Sequence, residues 1–276
     1  MRVDLHTHSN ASDGALTPHA VAALAAERGL DGFALTDHDT LAGCRQLAAE
    51  PPPGIRFVPG VELSTVWSGV GIHIVGLDFD LDARVLNAGI ARQTEARFAR
   101  ARRISEVLGK AGLDAPVEAI TARAAGVPGR PHFAQHLVET GQVVDEAFVF
   151  KKWLGAGKPG DIKTGWAGLA DVVDWIVDAG GRAVLAHPAR YKLTRTKLRA
   201  LVKAFTDSGG QAIEVVSGQQ TPDITTGVAR LARDFALEAS VGSDFHRQGG
   251  HGHALGQPLT LPSECTPVWS NFDWRD

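Results

Sequence analysis

Soft and redox-active side chains are scarce in this chain: two cysteines, one methionine and one tyrosine among 276 residues. Cys44 and Cys265 form no CxxC pair and no disulfide framework, so a reducing cytoplasm is the expected setting. No apolar run approaches the roughly 20 residues that a membrane span needs, so no membrane association is expected. The chain opens with a strand-like segment and a polar turn rather than the charged and then apolar pattern of a signal peptide. Low-complexity segments and short repeats are missing too. Charge of either sign is modest: 21% of residues are charged and the net charge is −3. That composition, with 44% hydrophobic residues, argues for a globular fold rather than disorder.

The length suits one large domain, or one domain carrying an insert. Val3 to Leu5 reads as a short buried strand, followed by His6 and His8, which point to the same side of an extended chain. Asp13 follows in a turn of small residues closed by Gly14. Thr17-Pro18 opens a helix that runs to about Arg28 and stops at Gly29. Further strands are expected at Gly32 to Thr36, Ile55 to Val58, Gly71 to Leu77, Arg182 to Ala186, Ala212 to Val216 and Glu238 to Gly242. Between the later strands, helices are expected over 168–179, 194–208 and 223–236. Repeated strand–helix units predict a parallel sheet. With about seven strands and polar residues after their C-terminal ends, a TIM-like barrel with its site at that mouth is the expected α/β architecture. An open doubly wound sheet is the alternative.

Residues 81–165 break this rhythm. They read as one long helix or two over 82–112, then helices over 116–125, 131–140 and 144–154, closed by the loop Gly155 to Gly160. The expected division is therefore a barrel from 1–80 and 166–276 with a helical insertion at 81–165 that caps the substrate. The insertion carries 13 Lys/Arg against 9 Asp/Glu, a balance of +4, while the remainder balances at −7. An acidic part suits cations and a basic part suits an anionic substrate. The Gly155 to Gly160 loop lacks GxxxxGK[ST] spacing, which excludes an NTP-binding P-loop. The tail after Gly256 looks irregular, with Trp269, Phe272 and Trp274 expected to pack on the body. The glycine- and histidine-rich stretch 249–253 suggests no role.

The strand ends collect His6, His8, Asp13, His38, Glu62, His73, His187, Asp244 and His246, which include six of the eleven histidines. Nine such groups exceed the four to six ligands of one metal, so two or three divalent ions are implied. Imidazole and carboxylate donors without thiolate favour Mn, Zn or Fe over Ca or Mg.

These motifs resemble those of a known family. Asp4-Leu-His-Thr-His-Ser9 with Ser12-Asp-Gly14, then Thr36-Asp-His-Asp39, Gly60-Val-Glu62, His187-Pro188 and Ser243-Asp-Phe-His246 are similar to the motifs of the PHP (polymerase and histidinol phosphatase) phosphoesterases. The resemblance implies a distorted (β/α)7 barrel with a trinuclear metal centre, Mn the favoured metal. It implies that His6, His8, Glu62 and Asp244 hold one ion. Glu62 would bridge to a second, completed by His73 and His187, and Asp13, His38 and His246 would hold the third. Asp37 and Asp39 flank His38 as supporting or capping groups. Such ions lower the pKa of a shared water from about 16 to about 7, so a metal-bridging hydroxide is the implied nucleophile and no catalytic side chain beyond it is required. Consistently, no GxSxG or Cys/His arrangement is present.

Beyond those motifs, His73-Ile-Val-Gly76, Arg130-Pro-His-Phe-Ala-Gln-His-Leu137, Gly157-Lys-Pro-Gly160 and Ala186-His-Pro-Ala-Arg-Tyr191 resemble one branch of the family. That branch holds the bacterial 3′,5′-nucleotide bisphosphate phosphatases and a related 5′-to-3′ exoribonuclease. The resemblance implies loss of the 3′-phosphate from a bisphosphate such as pAp, leaving a 5′-monophosphate. The alternative is stepwise trimming of short 5′-phosphorylated RNA, whose scissile phosphate is likewise 3′ to a nucleoside with a 5′-phosphate. Arg130, His132, Lys158 and Arg190 are the candidates for holding the phosphate that is not cleaved; His136, one turn after His132, reads as structural. Histidinol phosphate is a weaker alternative, since one small monoester needs no basic insert. A non-catalytic, metal-bound module for nucleic acid is weaker still, because its signature would be eroded ligands and all nine are present. No obligatory protein partner is evident.

Overall fold

The computed structural model describes residues 1–124, 126–249 and 254–272; Trp274 and residues 250–253 of the glycine- and histidine-rich stretch lie outside them. Among the described residues no helix is long and apolar enough to cross a membrane.

The chain starts with β1 (Val3–Thr7), α1 (Pro18–Glu27), β2 (Gly32–Leu35), α2 (Ala42–Ala49), β3 (Arg56–Trp67) and β4 (Val70–Leu77). Helix α1 begins where the sequence places it: the Thr17 hydroxyl accepts the Ala20 N–H at 3.2 Å, and Pro18 fills the first position. A single long helix α3 (Arg84–Lys110) follows, then α4 (Val117–Arg123), α5 (Arg130–Glu139) and α6 (Glu146–Val149), which continues as a wide helical turn over Phe150–Leu154. Next come α7 (Leu169–Asp178), β5 (Arg182–Leu185), α8 (Arg195–Asp207), β6 (Ala212–Ser217), α9 (Pro222–Asp234) and β7 (Glu238–Gly242).

The seven strands form one sheet in sequence order, β1 to β7. It curls nearly shut: the His8 N–H donates to the Phe245 carbonyl at 2.9 Å and the Asp244 N–H to the His6 carbonyl at 2.8 Å. Strands β1, β2 and β3 pair in parallel, as do β5, β6 and β7.

The expected all-parallel sheet needs one correction. Strand β4 runs antiparallel to both β3 and β5. The cause is local: Trp67 pairs with Val70 across Ser68 and Gly69, whose φ angles of 48° and 75° make a tight primed turn. A two-residue turn leaves no chain for a crossover helix, so the strand must reverse. The third strand is also longer than the expected Ile55 to Val58, so Glu62 sits within it rather than beyond its end. Reversal puts the first half of β4 at the mouth, and His73 with it.

Apolar residues of the strands and of α7 to α9 form the main core, joined by Phe272 and, half-buried, Trp269. The helices from 84 to 154 have a separate core around Ile104, Leu108, Phe133, Leu137 and Leu154. Beyond that core they meet the barrel through Leu86 and several polar contacts, the most buried of which centres on Asp39. Arg97 on α3 donates from Nε to Asp39 Oδ2 at 2.6 Å, and Gln93 donates from Nε2 to Asp39 Oδ1 at 3.0 Å.

Candidate metal centre and its cationic cover

The nine residues expected from the sequence converge at the barrel mouth. His6 is the last residue but one of β1, with His8 just beyond the strand; Asp13 lies in the following loop; His38 follows β2; Glu62 and His73 come from the paired strands β3 and β4; His187 follows β5; Asp244 and His246 follow β7. Three residues here, Asp39, His187 and Asp244, hold φ angles of 51°, 28° and 55°. Left-handed backbone at non-glycine residues is costly and collects at functional sites.

Glu62 is the centre. Its Oε1 lies 2.7 Å from His73 Nδ1 and 2.9 Å from His187 Nε2, and its Oε2 lies 3.3 Å from both His6 Nε2 and His8 Nε2 and 3.0 Å from His38 Nδ1. Asp244 Oδ1 is 3.0 Å from His8 Nε2 and 3.4 Å from His6 Nε2. Asp13 faces His246 at 3.2 Å and His38 at 3.8 Å. Three groups present ligand atoms mutually within 4.8 Å: His6, His8, Glu62 and Asp244; His8, Asp13, His38 and His246; and His38, Glu62 and His73.

These donors fit divalent cations. His6 Nε2, His38 Nδ1 and Glu62 Oε2 are buried without a hydrogen bond, although they approach within 3.0–3.3 Å. Atoms that close without aligning as donor and acceptor are aimed at a common point between them rather than at each other. Their electrostatics agree. Burial opposes the charge on Glu62, Asp13 and Asp244, yet the surrounding imidazoles hold all three carboxyls well below their usual range. Against burial, Glu62 and neighbouring carboxylates raise His6 and His38, and Asp13 with Asp244 lifts His246 to about 10. His8 goes the other way, to about 3, because burial and the cationic tendency of His246 and His38 outweigh its acidic neighbours.

Sequence reasoning missed one supporting group, Glu214, while Asp37 and Asp39 were expected to support or cap. Buried Glu214, in the middle of β6, accepts the His187 N–H and lies 3.3 Å from His6 Nδ1, which turns His6 Nε2 inward. Its signal was a lone carboxylate in the apolar run Ala212 to Val216. Asp37 accepts three hydrogen bonds, from the Ser9 N–H and from the Ser9 and Ser12 hydroxyls, and so shapes the loop carrying Asp13. Burial lifts Asp37 to about 6. Asp39 joins the barrel to α3 through Arg97 and caps no helix.

A cavity of about 400 Å³ opens above this floor, lined by Asp13, His38, His73 and His187 below and by Arg97, Arg100, Arg130, Lys163, Arg190 and Lys192 around. The Arg97 and Arg100 guanidiniums lie 5.6 and 5.5 Å from the Trp166 ring centroid, within cation–π range. Burial, with Arg130 and Arg97 nearby, pushes Arg100 down to about 9. Of the four residues expected to hold phosphate, Arg130 and Arg190 line this cavity. Arg130 donates to the Leu154 carbonyl at 3.0 Å and lies 3.5 Å from Asp161; Arg190 pairs with Asp244. His132 does not line this cavity: its Nδ1 accepts the Gly129 N–H at 2.9 Å, and it lines a smaller cavity that Asp13 also borders. Lys158 is exposed and lines neither cavity, where Lys163 reaches the larger one. His136 bonds the Asp114 carbonyl at 3.2 Å, a structural contact. Arg97, Arg100 and Lys163 were absent from the expected set. Gln93, Arg97 and Arg100 lie on the buried face of α3.

Comparison with known proteins places this arrangement in company. The PHP domain profile matches residues 4–121. The 3′,5′-nucleoside bisphosphate phosphatase of Chromobacterium violaceum is 43% identical over 277 residues, spanning 99% of this chain and 97% of that protein. The 5′-3′ exoribonuclease Rnm of Escherichia coli is 43% identical over 274 residues, spanning 98% and 93%. Among solved structures, an amidohydrolase from Chromobacterium violaceum, with bound sulfate and no metal, superposes with a TM-score of 0.90 at 42% identity, over 98% of this chain and 95% of the other.

Proposed function

The chain belongs to the PHP family of phosphoesterases, and from that premise we propose that it removes the 3′-phosphate of 3′,5′-nucleotide bisphosphates such as pAp, giving AMP and phosphate. The single observation that carries this reading is the stacking of two opposite fields across one cavity: a carboxylate–imidazole floor below and six cations around. A ligand with two phosphates satisfies both, one at the floor and one among the arginines. A simple monoester leaves the cationic cover unused.

We assign all nine floor residues as ligands of two or three divalent ions, with manganese favoured because imidazole and carboxylate donors without thiolate suit it. His6, His8, Glu62 and Asp244 would form one set. Asp13, His38 and His246 would form another, with His8 beside them. Glu62 would be shared with His73 and His187, and it has two oxygens to share. Such ions, when bound, neutralise phosphoryl oxygens and make water acidic enough to ionise near neutral pH. The reaction balances simply: a water oxygen adds to phosphorus, the P–O3′ bond breaks, and the 3′ oxygen departs as a hydroxyl once it gains a proton.

The chain's own residues orient the substrate. Arg130, Arg100 and Lys163 hold the 5′-phosphate, with Arg130 and Lys163 both beside Asp161. Arg190 reaches from Asp244 to the scissile phosphate. Residues 81–165 act as the cap. With Cys44 and Cys265 both unpaired, a reducing cytoplasm suits the protein. The second reading, 5′-to-3′ trimming of short 5′-phosphorylated RNA, breaks the same P–O3′ bond and is supported by the equal similarity to Rnm.

The test is release of inorganic phosphate from pAp with added Mn²⁺ and in a chelated control. Metal-dependent release that leaves AMP is expected. Equal release in both samples, or none with the metal shown to be bound, would refute the proposal.

A further inference from the structure

The only tyrosine of the chain, Tyr191, ends the short turn Pro188–Tyr191 that follows β5, and it lines the large cavity. Its hydroxyl is inserted into the sheet at the mouth. Strands β4 and β5 pair from Leu77 with Arg182 up to Ile74 with Leu185, so His73 and Ala186 come next. An antiparallel hydrogen-bonded pair exchanges two backbone bonds. One is made directly here, from the Ala186 N–H to the His73 carbonyl at 3.2 Å. The other is relayed. The His73 N–H donates to the Tyr191 hydroxyl at 3.0 Å, and that hydroxyl donates to the Ala186 carbonyl at 2.8 Å.

The ring is engaged as well. Its centroid lies 5.4 Å from that of His187, edge to face, and the His187 and His73 rings meet edge to face at 5.2 Å. One side chain therefore touches the backbone of His73 and the imidazole of His187. These two imidazoles approach the same oxygen of Glu62, at 2.7 and 2.9 Å. Among the described residues, the hydrogen bonds and ring contacts of Tyr191 reach no other assigned ligand.

We infer that Tyr191 is a positioning residue that sets the gap between His73 and His187, and with it the fit of the ion assigned to them and Glu62, without touching that ion. The inference rests on the ligand assignment of the proposed function and deepens it. A hydroxyl in place of a ladder bond holds the strands open by the width of an oxygen, at the level where the imidazoles leave them. Without it, the His73 N–H and the Ala186 carbonyl are left to pair directly, since unpaired backbone groups are costly away from water. That closes the mouth end of β4 onto β5. His187 also needs a holder. A ligating imidazole is usually oriented by a hydrogen bond at its other nitrogen. His187 Nδ1 is buried and has none among the described residues, so packing against Tyr191 takes that place. The hydroxyl is not a proton donor to the leaving oxygen: it has one proton, and the Ala186 carbonyl, the nearer of two carbonyls, accepts it.

The experiment is calorimetric titration of the metal-free protein with Mn²⁺, in the wild type, Tyr191→Phe and Ser105→Ala. Tyr191→Phe keeps the ring and deletes only the hydroxyl. Ser105→Ala deletes a similar hydroxyl–carbonyl bond, to Ala115 at 2.7 Å, within the helical segment. The wild type should bind two or three ions. In Tyr191→Phe one of them should weaken about 10- to 100-fold, the range for losing a group that supports a metal ligand. The others should keep their affinity, and Ser105→Ala should match the wild type. Turnover of pAp by Tyr191→Phe should fall at limiting Mn²⁺ and recover in excess, which separates a lost ion from a lost fold. Unchanged affinities in Tyr191→Phe, equal weakening of every site, the same loss in Ser105→Ala, or a fall in turnover that excess Mn²⁺ does not restore would overturn the inference alone. A wild type that binds no Mn²⁺ would instead overturn the ligand assignment.

Discussion

The floor and the cover of the large cavity are built on opposite plans. Floor residues come from strands, strand ends and the loops beyond them. Three of their pairs bond (His8–Asp244, His73–Glu62, His187–Glu62), while His6 Nε2, Asp13 Oδ1, His38 Nδ1 and Glu62 Oε2 stay buried without a hydrogen-bond partner. Cover residues come from helices and, for Lys163, from an irregular segment, and every cation among Arg97, Arg100, Arg130, Lys163 and Arg190 already has a carbonyl or carboxylate to hold. The floor is partly unsatisfied on its own and offers ligand atoms that could hold cations. The cover is satisfied on its own and must trade partners to take an anion. Changes in the floor should therefore strike turnover, and changes in the cover should strike affinity or stability.

The largest effect should come from Glu62, which five imidazoles approach. Glu62→Gln keeps the shape and removes the charge. Turnover of pAp should fall by at least 10²–10³-fold, the range for removing one preorganised electrostatic contact from an active site, and metal content by elemental analysis should drop. Unchanged metal content with near-normal turnover would contradict the plan of the floor.

Next is the joint between the two regions. Arg97 and Asp39 are both buried, and replacing Arg97 leaves a buried carboxylate without its cation. Breaking such a pair costs about 3–5 kcal/mol. Here the lower end is expected, because Gln93 and the Ser64 N–H still donate to Asp39. Chemical unfolding of Arg97→Met should show a loss of about 3 kcal/mol, and adding Asp39→Asn should recover part of it. A loss below about 1 kcal/mol would show that the helices are held to the mouth by something else.

The same contrast explains what the sequence could reveal. Floor residues stand in short clusters, such as His6 with His8 and Asp244 with His246, and strand ends concentrate them where topology demands. That these nine residues meet at the mouth was legible for that reason. The sheet's antiparallel β4 was not, because Ser68-Gly69 gives a weak turn signal and His73 reads equally well in either direction. The cover was legible only in outline. Arg97 and Arg100 are two among many arginines on α3, and only the folded helix shows which face the barrel. Lys158 and Lys163 lie five residues apart in an irregular segment, where no periodicity tells which reaches the cavity.

Within the cover, Arg130→Ala should raise KM for pAp about 10- to 100-fold, the worth of a hydrogen bond to a charged group, with little effect on a simple aryl phosphate. Equal effects on both substrates would remove Arg130 from the 5′-phosphate.

The smallest expected effect is the most discriminating. Asp161 lies 3.5 Å from Arg130 and 2.9 Å from Lys163, and it also accepts the Gly157 N–H at 2.8 Å. If the cover must trade partners to bind phosphate, Asp161 competes with the substrate. Asp161→Asn keeps an oxygen for Gly157 and removes the competing charge. Both cations are partly solvent-exposed, so each pair is worth no more than about 1 kcal/mol. KM for pAp should then fall about two- to fivefold with kcat unchanged. If Asp161 instead holds Arg130 and Lys163 in the binding geometry, the same substitution raises KM. The sign separates a cover that must be released from one already set for its ligand, and steady-state kinetics on one variant reads it.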